Sequence, residues 1–137
     1  MYISSKLFFA VQVACCLSII GLIGHAGFFD RDYFGASPSA TCLLLVACSH
    51  LVLCTFILLT AITTSKIYET PLICVHDLLF FTLLVATGTA SIWECKSFES
   101  KEEKEIGTAG AIAIFTAFVS MIGCCTSYKV CENMKSF

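Results

Sequence analysis

Four long apolar stretches divide this chain, and almost all of its charged side chains lie between them or near its ends. Each stretch is long enough to cross a hydrocarbon core of about 30 Å at about 1.5 Å per helical residue. Because 58% of the residues are hydrophobic and only 13% are charged, the surface of the folded chain must contact lipid. The sequence therefore predicts an all-α fold, an integral membrane antiparallel four-helix bundle in which residues 1–137 form a single four-span transmembrane domain.

The charged residues and turn formers set the limits of the spans, which we predict at about 7–29, 39–63, 72–93 and 106–128. Ser37 can cap the second helix, and Pro38 suits its first turn. The stretch from Glu94 to Glu105 is expected to be a solvated connection. A signal peptide is the alternative interpretation of the first span, but its apolar region would exceed the usual length of about 7–15 residues.

Orientation in the membrane is not decided by the basic residues. An even number of spans puts both termini on one side, and each side then carries four basic residues: Lys6, Lys66, Lys129 and Lys135 with the termini, and Arg31, Lys96, Lys101 and Lys104 opposite. We expect cytosolic termini because acidic residues crowd the other loops, and because Cys124, Cys125 and Cys131 near the end of the last span are acylation candidates. The plasma membrane or a vesicle membrane is the default location.

The ten cysteines do not follow a metal-binding or disulfide-scaffold pattern. Most lie inside apolar stretches, where cysteine acts as a small hydrophobic residue, and no Cys-x-x-Cys pair is present. A bridge between Cys42 and Cys95 is conceivable, because these two can reach an oxidising compartment. The pattern predicts neither a zinc ribbon nor a cofactor.

Small residues recur at helical spacing in the first and last spans, where they allow two helix backbones to approach closely. The stripe in the first span is Ala10, Ala14, Ser18, Gly21 and Gly24, and the stripe in the last span is Ala109, Ala113 and Ala117. One interpretation places both stripes in the core of the monomer. The other makes one of them a contact face for another integral membrane protein or for a second copy of the chain.

Placing an ionisable residue within a membrane span costs free energy, so each such residue is a candidate for a functional role. Asp77 is expected near the membrane interface, where solvent or the helix dipole stabilises it, with proton or cation coupling as the alternative. His50 is expected to be a core histidine bonded to a Ser or Thr of a neighbouring helix. We expect the histidines to lie at different depths, and the side chains of His76 and Asp77 to diverge by about 100° around their helix, which argues against a metal site.

Other function classes find no support in the sequence. A net charge of −2 without a basic stripe offers no electrostatic surface for nucleic acid. There is no phosphate-binding glycine loop, no His-Glu-x-x-His and no Gly-x-Ser-x-Gly sequence. We therefore expect no catalytic residues and no enzymatic activity.

The third span opens on Asp77-Leu-Leu-Phe-Phe-Thr-Leu-Leu-Val-Ala and the fourth contains Gly110-Ala-Ile-Ala-Ile-Phe-Thr-Ala-Phe-Val. With four short-looped spans, this pattern resembles the MARVEL domain. The resemblance implies a non-catalytic protein of cell junctions or vesicle membranes that associates laterally with lipids and other membrane proteins. Our leading hypothesis is such an organiser, or an accessory subunit of a larger membrane complex. The alternative is an oligomeric small ion or proton transporter or channel that uses Asp77 and His50.

Overall fold

The computed structural model describes residues 2–25, 38–64, 71–94 and 101–135. The side chains of residues 2–5, 102, 127, 130, 131 and 133–135 lie outside that description. Within the described ranges the chain forms four α-helices and no strand: α1 (Tyr2–His25), α2 (Pro38–Thr63), α3 (Pro71–Glu94) and α4 (Lys101–Lys135). Each helix contains a segment long and apolar enough to span a membrane. The predicted all-α, four-helix membrane bundle is confirmed.

The helix limits differ from the predicted spans mainly at α4. This helix begins at Lys101, so the last five residues of the stretch Glu94 to Glu105, which is predicted to be a solvated connection, are helical. Lys and Glu are good helix formers, which explains the early start. The end of the first predicted span, residues 26–29, and the cap at Ser37 lie outside the described residues.

Neighbouring helices run antiparallel. Gly88 of α3 lies opposite Gly110 of α4, and Cys74 lies opposite Cys124, so residue numbers rise on one helix as they fall on the other. Helices α1 and α4 are also antiparallel, since Gln12 lies opposite Ser120 near the middle of the two helices.

His25 Nδ1, at the C-terminal end of α1, lies 2.6 Å from Glu105 Oε1, near the start of α4. Each helix packs against the next in sequence, and α4 closes onto α1. The four helices therefore form a ring in chain order. Contact across the diagonal between α2 and α4 is slight.

The tightest helix approach is between α3 and α4. A Cβ atom added to Gly88 would lie 2.8 Å from the backbone oxygen of Gly110, and a Cβ atom added to Gly110 would lie 2.8 Å from the backbone oxygen of Gly88. Both glycines are therefore required by backbone proximity rather than by an unusual dihedral angle. This approach joins α3 and α4 along the most extensive interface in the bundle.

The core contains two separate apolar clusters. The larger one consists of Ile19, Ile23, Ala40, Leu43, Ala47, Phe80, Leu84, Ile106, Ala109, Ala113 and Ala117. The smaller one consists of Phe9, Cys54, Ile57, Ala61 and Ile73, nearer the chain termini. A group of buried polar side chains lies between them.

Candidate functional site

Buried polar side chains from all four helices lie between the two apolar clusters, and we call them the buried polar cluster. Its members are Gln12 of α1, His50 and Cys54 of α2, His76 and Asp77 of α3, and Ser120 of α4. Each of these side chains is buried inside the protein. Polar and ionisable groups at membrane depth carry a free-energy cost that lipid cannot offset, so they need partners inside the protein. The cluster is therefore the candidate functional site of the bundle.

Gln12 joins three helices through one oxygen atom. Its Oε1 accepts a hydrogen bond from Ser120 Oγ at 3.0 Å and a longer contact from the Cys54 thiol at 3.7 Å. The Gln12 amide nitrogen has no hydrogen-bond partner among the described residues. Exchanging the amide oxygen and nitrogen would move the unpaired group to the other atom without removing it.

The two buried histidines contact each other. The rings of His50 and His76 stack with centroids 5.3 Å apart and an interplanar angle of 18°. Phe80 lies against both rings, at 4.4 Å from His50 and 4.9 Å from His76. The expectation that the histidines lie at different depths is therefore wrong for this pair, because the middle of α2 is level with the second turn of α3.

His50 has no hydrogen bond to a Ser or Thr of a neighbouring helix among the described contacts. Its ring nitrogens lie 3.7 and 3.6 Å from the Cys54 thiol, one turn further along α2. The predicted burial of His50 agrees with the structure, but its surroundings are another imidazole, an aromatic ring and a thiol rather than a hydroxyl group.

Asp77 is enclosed by the protein. It is 1% exposed, so the expectation that solvent stabilises this carboxylate is wrong, and stabilisation by the helix dipole stays a prediction. Its Oδ1 lies 3.2 Å from His76 Nδ1, and its Oδ2 lies against Gly123 of α4, where an added Cβ would be 3.3 Å away. The side chains of His76 and Asp77 leave the helix in different directions, yet they bend back far enough to meet.

Three potential metal ligands converge in this cluster. One atom each from His50, Cys54 and His76 lies within 4.8 Å of the others. His50 and Cys54 are one turn apart on α2, whereas His76 comes from α3. The sequence pattern predicts no such grouping, because α2 and α3 are brought into register only by the packing of the bundle.

The two small-residue stripes have different surroundings. Ala109, Ala113 and Ala117 of α4 are fully buried in the larger apolar cluster. In α1 the corresponding stripe faces outward: four of its members are exposed, and Gly24 is partly buried. The exposed members are Ala10, Ala14, Ser18 and Gly21. A Cβ atom added to Gly21 would meet nothing within 4 Å.

The cysteines near the end of α4 also differ. The Cys124 thiol contacts the backbone oxygen of Cys74 at 3.5 Å, so it is directed toward α3. Cys125 is exposed. The side chain of Cys131 lies outside the described residues, as does Cys95, so the Cys42–Cys95 bridge and acylation stay predictions. Trp93 is exposed at the end of α3, where it can act as an interfacial anchor.

Sequence reasoning overlooks Gln12 and treats Cys54 only as a small hydrophobic residue. Gln12 carries a usable signal, because it is the one amide side chain inside an otherwise apolar stretch. Polar side chains at such positions form hydrogen bonds between helices. Cys54 carries no comparable signal, since most of the other cysteines also lie inside apolar stretches.

Comparison of the chain with protein-family models, with curated proteins and with solved structures finds no match. The resemblance to the MARVEL domain therefore stays a prediction from the pattern of the third and fourth spans. What the structure itself defines is the class: a multi-pass integral membrane protein built as an antiparallel four-helix bundle.

Proposed function

We propose that this protein is a non-catalytic four-span membrane protein that acts by lateral association, binding a transmembrane helix of another integral membrane protein through the outer face of α1. Such a protein serves as an accessory subunit of a larger complex or as an organiser of junction or vesicle membranes. The observation that carries the proposal is the exposure of the small-residue stripe Ala10, Ala14, Ser18 and Gly21.

The physical argument depends on what small residues do in a bilayer. Lipid tails are as apolar as leucine, so helices associate there through close backbone approach rather than through exclusion from water. The stripe on α4 is occupied inside the monomer, because Ala109, Ala113 and Ala117 pack in the core. The stripe on α1 offers the same geometry on the outside of the bundle.

The polar groups on this face do not prevent helix contact. Ser18 Oγ donates to the backbone oxygen of Ala14 at 3.0 Å, so the hydroxyl hydrogen is satisfied within α1. Leu7 and Leu17 are also exposed on α1 and can pack beside an approaching helix. Large side chains are also exposed on the other helices, such as Phe56 on α2 and Phe115 on α4, and at those positions they hold a second backbone further away.

The test is a comparison of two alanine-to-leucine variants in the membrane of origin. Ala14→Leu enlarges the α1 face, and Ala111→Leu is the matched control on the lipid-facing side of α4. We expect a stoichiometric membrane partner to co-purify with the wild-type protein and with Ala111→Leu, and its yield to fall at least tenfold with Ala14→Leu.

A photo-crosslinking residue placed at position 14 should label the same partner. Circular dichroism and gel filtration should show that Ala14→Leu keeps its helix content, because Ala14 is exposed. Equal recovery of the partner with both leucine variants contradicts the proposal. Crosslinking only to a second copy of the chain contradicts the accessory role and replaces it with homo-oligomerisation.

Transport of an ion or proton is the second candidate function, and the buried polar cluster is the observation that favours it. Asp77, His50 and His76 are the groups that would bind or transfer the ion. Against this function, apolar clusters lie on both sides of the polar cluster along the bundle axis. In liposomes, transport predicts an ion flux that Asp77→Asn abolishes without loss of folding.

A further inference from the structure

The geometry of the buried polar cluster points to a metal site. Cys54 Sγ lies 3.6 Å from His50 Nε2, and one atom each of His50, Cys54 and His76 lies within 4.8 Å of the others. With Zn–S bonds of about 2.3 Å and Zn–N bonds of about 2.0 Å, tetrahedral ligands are separated by about 3.5 Å for sulfur and nitrogen and about 3.3 Å for two nitrogens. The distance from Cys54 Sγ to His50 Nε2 matches this spacing, but the sulfur lies almost equally far from both ring nitrogens, so the imidazole must rotate to direct a nitrogen lone pair at a shared ion.

The imidazole side chains must rotate to complete the site, because the His50 and His76 rings are stacked with an interplanar angle of 18°, whereas a bound ion lies in the plane of each ligand ring. The widest separation in the group is at most 4.8 Å, so it must shorten by no more than about 1.5 Å. His76 Nε2 is buried and has no hydrogen-bond partner within the part of the chain that the structure describes. A metal ion would satisfy this nitrogen, whose isolation otherwise carries a desolvation cost.

Asp77 is placed to orient His76 as a metal ligand. In the metal-bound state, with Asp77 ionised, the carboxylate would only accept hydrogen bonds, and the 3.2 Å contact with Asp77 Oδ1 would make His76 Nδ1 the donor. The lone pair of the imidazole is then on Nε2, the unpartnered atom. A carboxylate that orients a metal-binding histidine through its other nitrogen is the usual second layer of zinc sites.

The charges also balance. A divalent cation, the thiolate of Cys54 and the carboxylate of Asp77 sum to zero, which suits an interior shielded from water. Binding requires Cys54 to release its thiol proton to the aqueous phase. Sulfur and imidazole ligands select a borderline ion such as Zn²⁺, whereas Mg²⁺ and Ca²⁺ need oxygen ligands.

We propose that His50, Cys54 and His76 bind one Zn²⁺ ion, which links α2 to α3 inside the membrane. The α2–α3 interface is the least extensive of the four between neighbouring helices. A groove of about 400 Å³ opens between these helices toward the lipid, with His76 and Phe80 in its wall. A metal link across this interface stabilises the least packed side of the ring, and it does not depend on the exposed face of α1.

The first experiment needs no variant. The full-length protein is purified in mild detergent, and its zinc content is measured by mass spectrometry, with one Zn²⁺ per chain as the expected result. X-ray absorption at the zinc edge should show one sulfur and two nitrogen ligands at about 2.3 and 2.0 Å. Replacement of zinc by Co²⁺ should give a thiolate-to-metal charge-transfer absorption.

Variants then identify the ligands. We expect Cys54→Ser and His76→Gln each to lose the Co²⁺ charge-transfer band or reduce metal stoichiometry below one half. Cys48→Ser is the matched control, because Cys48 lies on the same helix but faces the lipid. Asp77→Asn should keep one metal per chain with an affinity about 10–100-fold lower, as expected for a group that orients a ligand.

Several results overturn this assignment. A folded wild-type protein that binds no metal, or a Co²⁺ spectrum unchanged by Cys54→Ser, excludes the site. Binding of Cu⁺ without Zn²⁺ excludes the divalent ion. If Cys54→Ser fails to fold, the ligand count from X-ray absorption of the wild-type protein still decides, since a shell without sulfur contradicts the proposal.

Discussion

Gly88 and Gly110 are the positions where one methyl group matters most to the bundle. Each would place an added Cβ 2.8 Å from the backbone oxygen of the other, a distance that real Cβ contacts do not show. The obstacle is backbone rather than the flexible end of a side chain, so it cannot move aside. Either alanine substitution must push α3 and α4 apart.

Gly88→Ala and Gly110→Ala should each lower the free energy of unfolding by about 1–3 kcal/mol, the usual cost of overpacking. Unfolding in mixed detergent micelles, followed by circular dichroism, measures the change. Gly21→Ala is the control, because its Cβ meets nothing within 4 Å and alanine favours helix. If Gly21→Ala and Gly110→Ala have equal effects, the close approach of α3 and α4 is wrong.

At the scale of elements, α1 is attached to the bundle by few polar contacts. The hydrogen bond from Ser120 Oγ to Gln12 Oε1 at 3.0 Å joins it to α4, and the contact from the Cys54 thiol joins it to α2. Hydrogen bonds between membrane helices contribute about 0.6 kcal/mol on average and up to about 1.7 kcal/mol. Gln12 therefore orients α1 more than it stabilises the fold.

A double-mutant cycle with Gln12→Met and Ser120→Ala should give a coupling energy of about 0.6–1.7 kcal/mol, because the two side chains share one hydrogen bond. The unfolding free energies of the two single variants and the double variant supply it. Ser49→Ala is the matched control, since Ser49 Oγ bonds the backbone of its own helix at Leu45. A coupling energy near zero would show that the two side chains do not meet.

Element limits were largely predictable because charge and apolar runs define them. The stretches around α2 and α3 end where Thr, Lys or Glu residues appear, and the helices end there too. The relative rotation and height of the helices were not predictable, because an all-round apolar helix has no polar face that fixes which side turns inward. For this reason the outward face of Ala14 and the contact of His50 with His76 required the structure.

The whole molecule places both termini on the same side of the membrane. A chain that crosses the membrane in four antiparallel spans begins and ends on the same side. The contact of His25 with Glu105 lies at the opposite end of the bundle from the start of α1. The side itself depends on charge, and the basic residues are evenly divided. We predict cytosolic termini because acidic residues crowd the connections on the other side, which also carry Arg31, Lys96, Lys101 and Lys104.

A split fluorescent protein in living cells measures this orientation. The small fragment is fused to the N-terminus or to the C-terminus, or is inserted between α1 and α2, and the large fragment is expressed in the cytosol. We expect fluorescence from both terminal fusions and none from the insertion, because the connection between α1 and α2 lies across the membrane from the termini. Fluorescence from the insertion alone reverses the orientation and keeps the bundle. Fluorescence from only one terminus requires an odd number of spans and contradicts the fold.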